Sequence, residues 1–258
     1  MTAKSTKAAY TRPEVPSEPE NELASVIAST RELVLWEKSL GAQGFPGSDP
    51  IVTQPGSASD PGTSDADQDC WARLQVLAEE AAACERCELS KGRTKSVFAR
   101  GTQDTDLVFV GEGPGYHEDQ EGLPFVGRAG QLLDRMITAM GYPRDGVYIC
   151  NVVKCRPPEN RTPLPSEAAA CAHFLVPQLE LVQPKVIVAL GRCAAENLQC
   201  VPPAGPWRGV WGEWRGVPVM PTYHPAFLLR SPQFKKPVWE DLQAVLGVLN
   251  REVPKRAR

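Results

Sequence analysis

"DLVFVGEGPGYHEDQEGLPFVGRAG", residues 106–130, joins an apolar run to a glycine-rich loop. "LVFVG" (107–111) is short, rich in valine and almost uninterrupted in its apolar character, the pattern of a strand buried on both faces of a sheet. The twenty residues from Gly111 to Gly130 then hold six glycines and two prolines. Three further runs of the same kind follow: "VYICNVV" (147–153), "KVIVALG" (185–191) and "VPVMPTY" (217–223). Between them, "RAGQLLDRMITAMG", "PSEAAACAHFLVPQLELV" and "RCAAENLQ" read as helices, and "PVWEDLQAVLGVLNREV" closes the pattern with Val238, Leu242, Val245, Leu246 and Leu249 on one stripe. Apolar strands alternating with helices predict an α/β fold with a parallel sheet covered on both faces.

In open sheets of this type ligands collect beyond the carboxyl ends of the strands. The residues at those ends are Glu112 and Gly113, Asn151, Gly191 and Arg192, and His224. A carboxylate, an amide and an imidazole therefore converge on one rim. His224 stands before Pro225, which holds it extended, and Pro225 suits the first turn of a short helix, "AFLLR". His117 and His173 have no such placement.

A glycine-rich loop after a strand suggests a phosphate cradle, but this one argues against it. The GxGxxG and GxxxxGK[ST] patterns are absent, and Glu112, Glu118, Asp119 and Glu121 would repel a phosphate. The loop suits an uncharged planar group or the positioning of a water: Gly113 permits a close backbone approach and Phe125 offers a stacking face. The amide of Asn151 carries both a donor and an acceptor, as the edge of a nucleobase requires.

Of eight cysteines, four stand out by context: Cys84 and Cys87 in "CERC", Cys155 in "VKCRPPENRTP" and Cys171 in "AAACAHF". Four thiolates suit a 4Fe-4S cluster or a structural zinc ion, and spacing does not separate the two. Cys70, Cys150, Cys193 and Cys200 are expected to pack as small apolar residues. The basic loops flanking the thiol set, "KGRTKS" and "RPPENRT", are expected to contact phosphates.

The chain has 258 residues, 42% hydrophobic and 23% charged, which fits one soluble domain with extra segments. No apolar run approaches membrane-helix length, and the first twenty residues lack the apolar core of a signal peptide, so a cytoplasmic, monomeric protein is expected. The net charge of -3 is unevenly spread: residues 1–70 hold 5 Lys/Arg against 11 Asp/Glu, leaving 23 against 20 for the rest. The body is thus mildly basic, compatible with phosphate contacts. Residues 1–69 read as an extension: a polar, disordered start, one amphipathic helix near 23–40 that docks on the body or on a replication or repair partner, then a Pro/Gly/Ser/Asp linker. Residues 70–258 form the body.

"CERCELSKGRT", "GEGPGYHEDQEGLPFVGRAG", "NVVKCRPPENRTP" and "TYHPAFLLR", in this order, closely resemble the family 4 (iron-sulfur) uracil-DNA glycosylases over about residues 70–250. The resemblance implies a three-layer α/β/α sandwich around a four-stranded parallel sheet, a 4Fe-4S cluster on Cys84, Cys87, Cys155 and Cys171, and removal of uracil from DNA. It also implies roles by position. Glu112 and Gly113 line the uracil pocket and water path, Glu118 crowds the C5 edge, and Phe125 stacks on the base. Asn151 reads N3 and O4, His224 faces O2, and Pro225, Ala226 and Arg230 belong to the segment entering the minor groove. Gly113 stands where many members have Ala. No basic insertion of the related cross-linking subgroup occurs between Gly130 and Pro143. The competing readings are a non-catalytic iron-sulfur or zinc DNA-binding module associated with replication, and a small-molecule enzyme using the glycine-rich loop for a nucleotide.

Overall fold

The computed structural model describes residues 65–202 and 205–254, and all of these belong to one compact unit. The helix expected near 23–40 and the linker after it lie outside the described residues. The first described element, α1 (Asp65–Ala83), crosses the expected boundary at residue 69.

The chain continues through β1 (Ala99–Gly101), β2 (Leu107–Gly111), α2 (Tyr116–Glu121), α3 (Arg128–Ala139), β3 (Tyr148–Asn151) and α4 (Pro165–Val182). It then forms β4 (Val186–Leu190), α5 (Arg192–Asn197), β5 (Gly212–Trp214), β6 (Val217–Thr222), α6 (Pro225–Arg230) and α7 (Lys235–Val248). The strands make one sheet in the order β1-β3-β2-β4-β6-β5. The four strands expected from sequence are its central four, and they pair in parallel. The expectation of four strands is corrected to six, because the short strands β1 and β5 add antiparallel edges.

Period-2 alternation divides the buried strand residues between two helical layers. Val108, Val110, Tyr148, Cys150, Ile187, Ala189 and Val219 share a core with Leu74 of α1, Phe174, Leu175 and Leu179 of α4 and Ala194 of α5. The alternate residues Leu107, Phe109, Ile149, Val186, Val188 and Met220 are equally buried. They point to the opposite face, where α3, α6 and α7 supply Leu132, Leu133, Ile137, Leu228, Leu242 and Val245. A clamp joins this layer to the sheet: Thr222 Oγ1 at the end of β6 donates to Asp241 Oδ2 of α7 at 2.6 Å. Arg208 reaches both oxygens of the same carboxylate at 2.9 and 2.7 Å.

Asp241 is only 6% exposed, so removing it leaves a hydroxyl and a guanidinium short of their shared acceptor. Asp241→Ala is expected to cost about 3 kcal/mol, measured as a lowered urea midpoint with an unchanged slope.

Candidate active site

The carboxyl ends of the four parallel strands open into a cavity of about 500 Å³. Glu112, Gly113, Glu118, Phe125, Asn151, His224, Ala226 and Arg230 all line it. Pro225 does not; it is buried beneath, as the first residue of α6. Arg192, also at a strand end, instead pairs with Glu196 at 2.6 Å on the exposed side of α5. Gly191 backs His224: a side chain there would stand 3.3 Å from the His224 Cβ.

The loop after β2 is built around Phe125. This residue has φ 56°, unusual for a side chain of its size, and its ring is 95% removed from solvent at 5% exposure. Two features hold it there. Glu118 Oε1, on α2, accepts the backbone N–H groups of Val126 and Gly127 at 3.0 and 2.9 Å. This places a carboxylate on the amino end of α3, where the helix dipole favours negative charge. Gly130 lets the turn close, since an added Cβ would lie 1.7 Å from the Phe125 carbonyl oxygen. Two of the acids that argued against phosphate are therefore structural acceptors, since Asp119 is also buried and its Oδ1 accepts the N–H of Thr94 at 2.9 Å.

The Phe125 ring lies over the end of β2. A Cβ on Gly111 would meet Asn151 Oδ1 at 2.3 Å and Phe125 Cζ at 2.6 Å. Gly111 thus permits a close approach within the protein, of the Asn151 amide and the Phe125 ring. At Gly113 an added Cβ would press on Val153 Cγ2 at 2.8 Å, so that glycine serves packing against the 153–163 segment. Asn151 is 1% exposed, and its Oδ1 has no hydrogen-bond partner among the described residues. An unsatisfied buried acceptor costs about 1–3 kcal/mol, and this one lies in the wall of a ligand-sized cavity.

His224 caps α6: the Ala226 N–H donates to its Nδ1 at 3.1 Å, so the neutral ring carries its proton on Nε2. The ring stacks on Phe125 with centroids 5.5 Å apart and planes 29° from parallel. Burial, reinforced by the Arg230 charge and opposed by Glu118, pushes its pKa down to about 4. The imidazole is therefore a neutral donor at physiological pH. Burial also raises the Glu112 carboxyl, while a hydrogen bond with Thr162 pulls it back.

Next to this cavity, beyond β3, lie the four thiols selected from sequence. Cys84 follows α1, Cys87 caps a 3-10 turn (Glu88–Lys91), Cys155 follows β3, and Cys171 is in α4. Burial pushes the Cys171 thiol up to about 11, and the nearby Cys155 and Cys87 add to that rise. Cys155 is likewise raised by burial and by Cys87 and Cys84. Donors stand ready for the anionic sulfurs. Arg93 donates to Cys155 Sγ at 3.3 Å and to the Cys84 carbonyl at 2.6 Å. The Lys154 N–H donates to Cys171 Sγ at 3.3 Å. Buried, mutually close thiols with such donors fit a thiolate-held cluster. Among the described residues no group of three or more His, Cys, Asp or Glu is drawn in tightly enough to hold one ion.

The basic loops are less available for phosphate than their sequence implies. Arg93 is engaged at the thiol site, and Arg161 makes a two-pronged pair with Glu167 at 2.8 and 2.7 Å. Arg156 lies 5.2 Å from the Tyr116 ring centre and bonds Asn160. Of the remaining histidines, His173 Nδ1 lies 2.6 Å from the carbonyl of Ala170 in its own helix, and His117 meets Tyr116 edge-on. No helix of the described residues is long and apolar enough to cross a membrane.

Residues 98–243 match the family model described as the Uracil DNA glycosylase superfamily. The chain belongs to this superfamily. Its similarity to curated members is close. It is 44% identical over 190 residues to the Type-4 uracil-DNA glycosylase of Thermotoga maritima, covering 69% of this chain and 96% of that protein. The Type-4 enzyme of Sulfurisphaera tokodaii is 41% identical, over 67% of this chain and 83% of its own. That of Archaeoglobus fulgidus is 39% identical, over 70% and 96%. Each alignment is long enough to take in the superfamily region.

The His224 ring is expected to titrate near pH 4 instead of the usual 6.5, measured by NMR of labelled histidine. Because the unfolded chain takes up this proton first, stability attributable to His224 is lost as pH falls from about 6.5 towards 4. Arg230→Gln should move the midpoint upward; a wild-type midpoint near 6.5 would contradict the buried, neutral ring.

Proposed function

We propose that this protein is a DNA-repair glycosylase that flips uracil out of DNA and hydrolyses its N-glycosidic bond, leaving an abasic site. The observation that carries the reading is the orphaned Oδ1 of Asn151, buried in a cavity whose wall also presents a neutral His224 and the Phe125 ring. Uracil supplies what that acceptor lacks, an N3–H donor, while the amide NH₂ donates to O4. Cytosine presents an amine at position 4 and no proton on N3, and leaves the same amide mismatched. Glu118, tied to two backbone amides at the cavity wall, excludes a group on C5 in this reading.

Extruding the nucleotide costs a few kcal/mol, of which stacking on Phe125 returns about 1–3 kcal/mol. The C1′–N1 bond then breaks with its electron pair moving onto the base, so negative charge gathers on N1 and O2. His224, with Nε2 protonated, donates to O2 and stabilises that charge without surrendering a proton. Water adds to C1′ and the proton it loses ends on the departing uracil anion, with Glu112 orienting the water and its carboxylate facing the developing positive charge on the sugar. Ala226 and exposed Arg230, on the helix that His224 caps, meet the DNA beside the flipped nucleotide.

Cys84, Cys87, Cys155 and Cys171 would hold a 4Fe-4S cluster. When bound, it supplies iron–thiolate bonds that cross-link the end of α1, the exit from β3 and α4. Incubation of the purified protein with a single-uracil oligonucleotide is expected to leave an alkali-labile site at uracil and none at cytosine or thymine. Asn151→Ala should lower the rate by about 10²-fold or more. No cleavage by brown, DNA-binding protein would instead support a non-catalytic module. Iron analysis should find about four atoms per chain, lost together with thermal stability in Cys171→Ala.

A further inference from the structure

Lys154 belongs neither to the cavity lining nor to the thiol set, yet it is 1% exposed and carries an amine in the core. Burying a charge is costly unless it is fully paired, and a methionine would fill the same space without that cost. Its contacts show what the amine does. The Lys154 Nζ donates to the carbonyl oxygen of Asn151 at 2.8 Å. Its backbone N–H donates to Cys171 Sγ at 3.3 Å, and its carbonyl accepts the N–H of Val97 at 2.8 Å. The Phe98 ring centre lies 5.7 Å from Nζ, and the thiols of Cys150 and Cys171 lie near it. Cys155 is the next residue in the chain.

On the other side of β3 the Val152 and Val153 N–H groups donate to the carbonyls of Gly111 and Glu112 at 2.9 and 3.2 Å. The backbone around Asn151 is thus gripped from both sides: by the central strand, and by a lysine whose own main chain is fixed to a thiol. Asn151 has little slack, because its Oδ1 sits against Gly111, where even a methyl group would collide.

We propose that Lys154 is a positioning residue that couples the four-thiol site to base recognition, holding the Asn151 main chain so that its amide meets the uracil edge. The inference rests on reading the cavity as a uracil pocket. Through Lys154, order at the thiols is transmitted to specificity without any thiol touching the base.

The test is binding of the full-length, iron-loaded protein to oligonucleotides carrying 2′-fluoro-2′-deoxyuridine or 2′-fluoro-2′-deoxycytidine at one position, which resist cleavage. Lys154→Met is expected to lower the preference for the uracil probe about tenfold, with iron content close to wild type. Lys154→Arg, which keeps a donor, should fall between the two. Lys154→Met/Asn151→Ala should discriminate no worse than Asn151→Ala alone, since the lysine acts through the asparagine. A wild-type preference in Lys154→Met, or independent losses in the double variant, would overturn the proposal. If Lys154→Met yields no iron-loaded protein, Lys154→Arg decides, and a preference equal to wild type overturns it. Failure of the wild-type protein to prefer the uracil probe would instead overturn the uracil reading itself.

Discussion

The site depends on one steric constraint, the missing side chain at the end of the central strand. Gly111 terminates β2 between β3 and β4, and over it the Asn151 amide and the Phe125 ring approach to distances that a Cβ would forbid. Phe125 reaches that position only in a left-handed backbone conformation, which costs about 1–3 kcal/mol. The opposing contributions are local: two amides donating to Glu118, burial of the ring, and the absent side chain of Gly130. Strain of this kind persists only where several contacts over-determine it, and here they converge from α2, α3, β3 and α6.

Electrostatics follow the same economy. Several charges that look available in the sequence are engaged inside the protein. Glu118 and Asp119 bind backbone amides, Arg93 serves the thiol site, and Arg161 is paired with Glu167. Among the residues lining the cavity are a neutral imidazole, an amide and a half-buried carboxyl, beside the Arg230 charge. The thiol site and the cavity flank the exit of the same strand, β3, and Lys154 bridges the few residues between them.

The central strands and most helices were legible because their signals are local. A strand buried on both faces must be apolar along its length, and the helices following such strands carry apolar stripes. The edge strands β1 and β5 were not legible, since three half-exposed residues make no pattern. Nor was α2, whose "YHEDQE" has no apolar face of its own. The cavity-lining residues Glu112, Asn151 and His224 were readable as strand-end positions, but their supports were not. Glu118 capping a helix nine residues away, and the collision forbidden at Gly111, are tertiary facts without a spacing rule. Lys154 reads as an ordinary surface lysine until the fold buries it. Gly113 drew attention as a close-approach glycine and lines the cavity, while the crowding over Gly111 is a contact within the protein that no local pattern signals.

The most direct measurement is single-turnover uracil release from an oligonucleotide by Gly111→Ala beside wild type, with iron content and circular dichroism verifying that both are folded. An added methyl displaces the Asn151 amide or the Phe125 ring by a sizeable fraction of an ångström. Misplacement on the order of 1 Å costs about 10²-fold in rate, so the account predicts a loss of that size with the iron retained. Wild-type release by folded Gly111→Ala would contradict it.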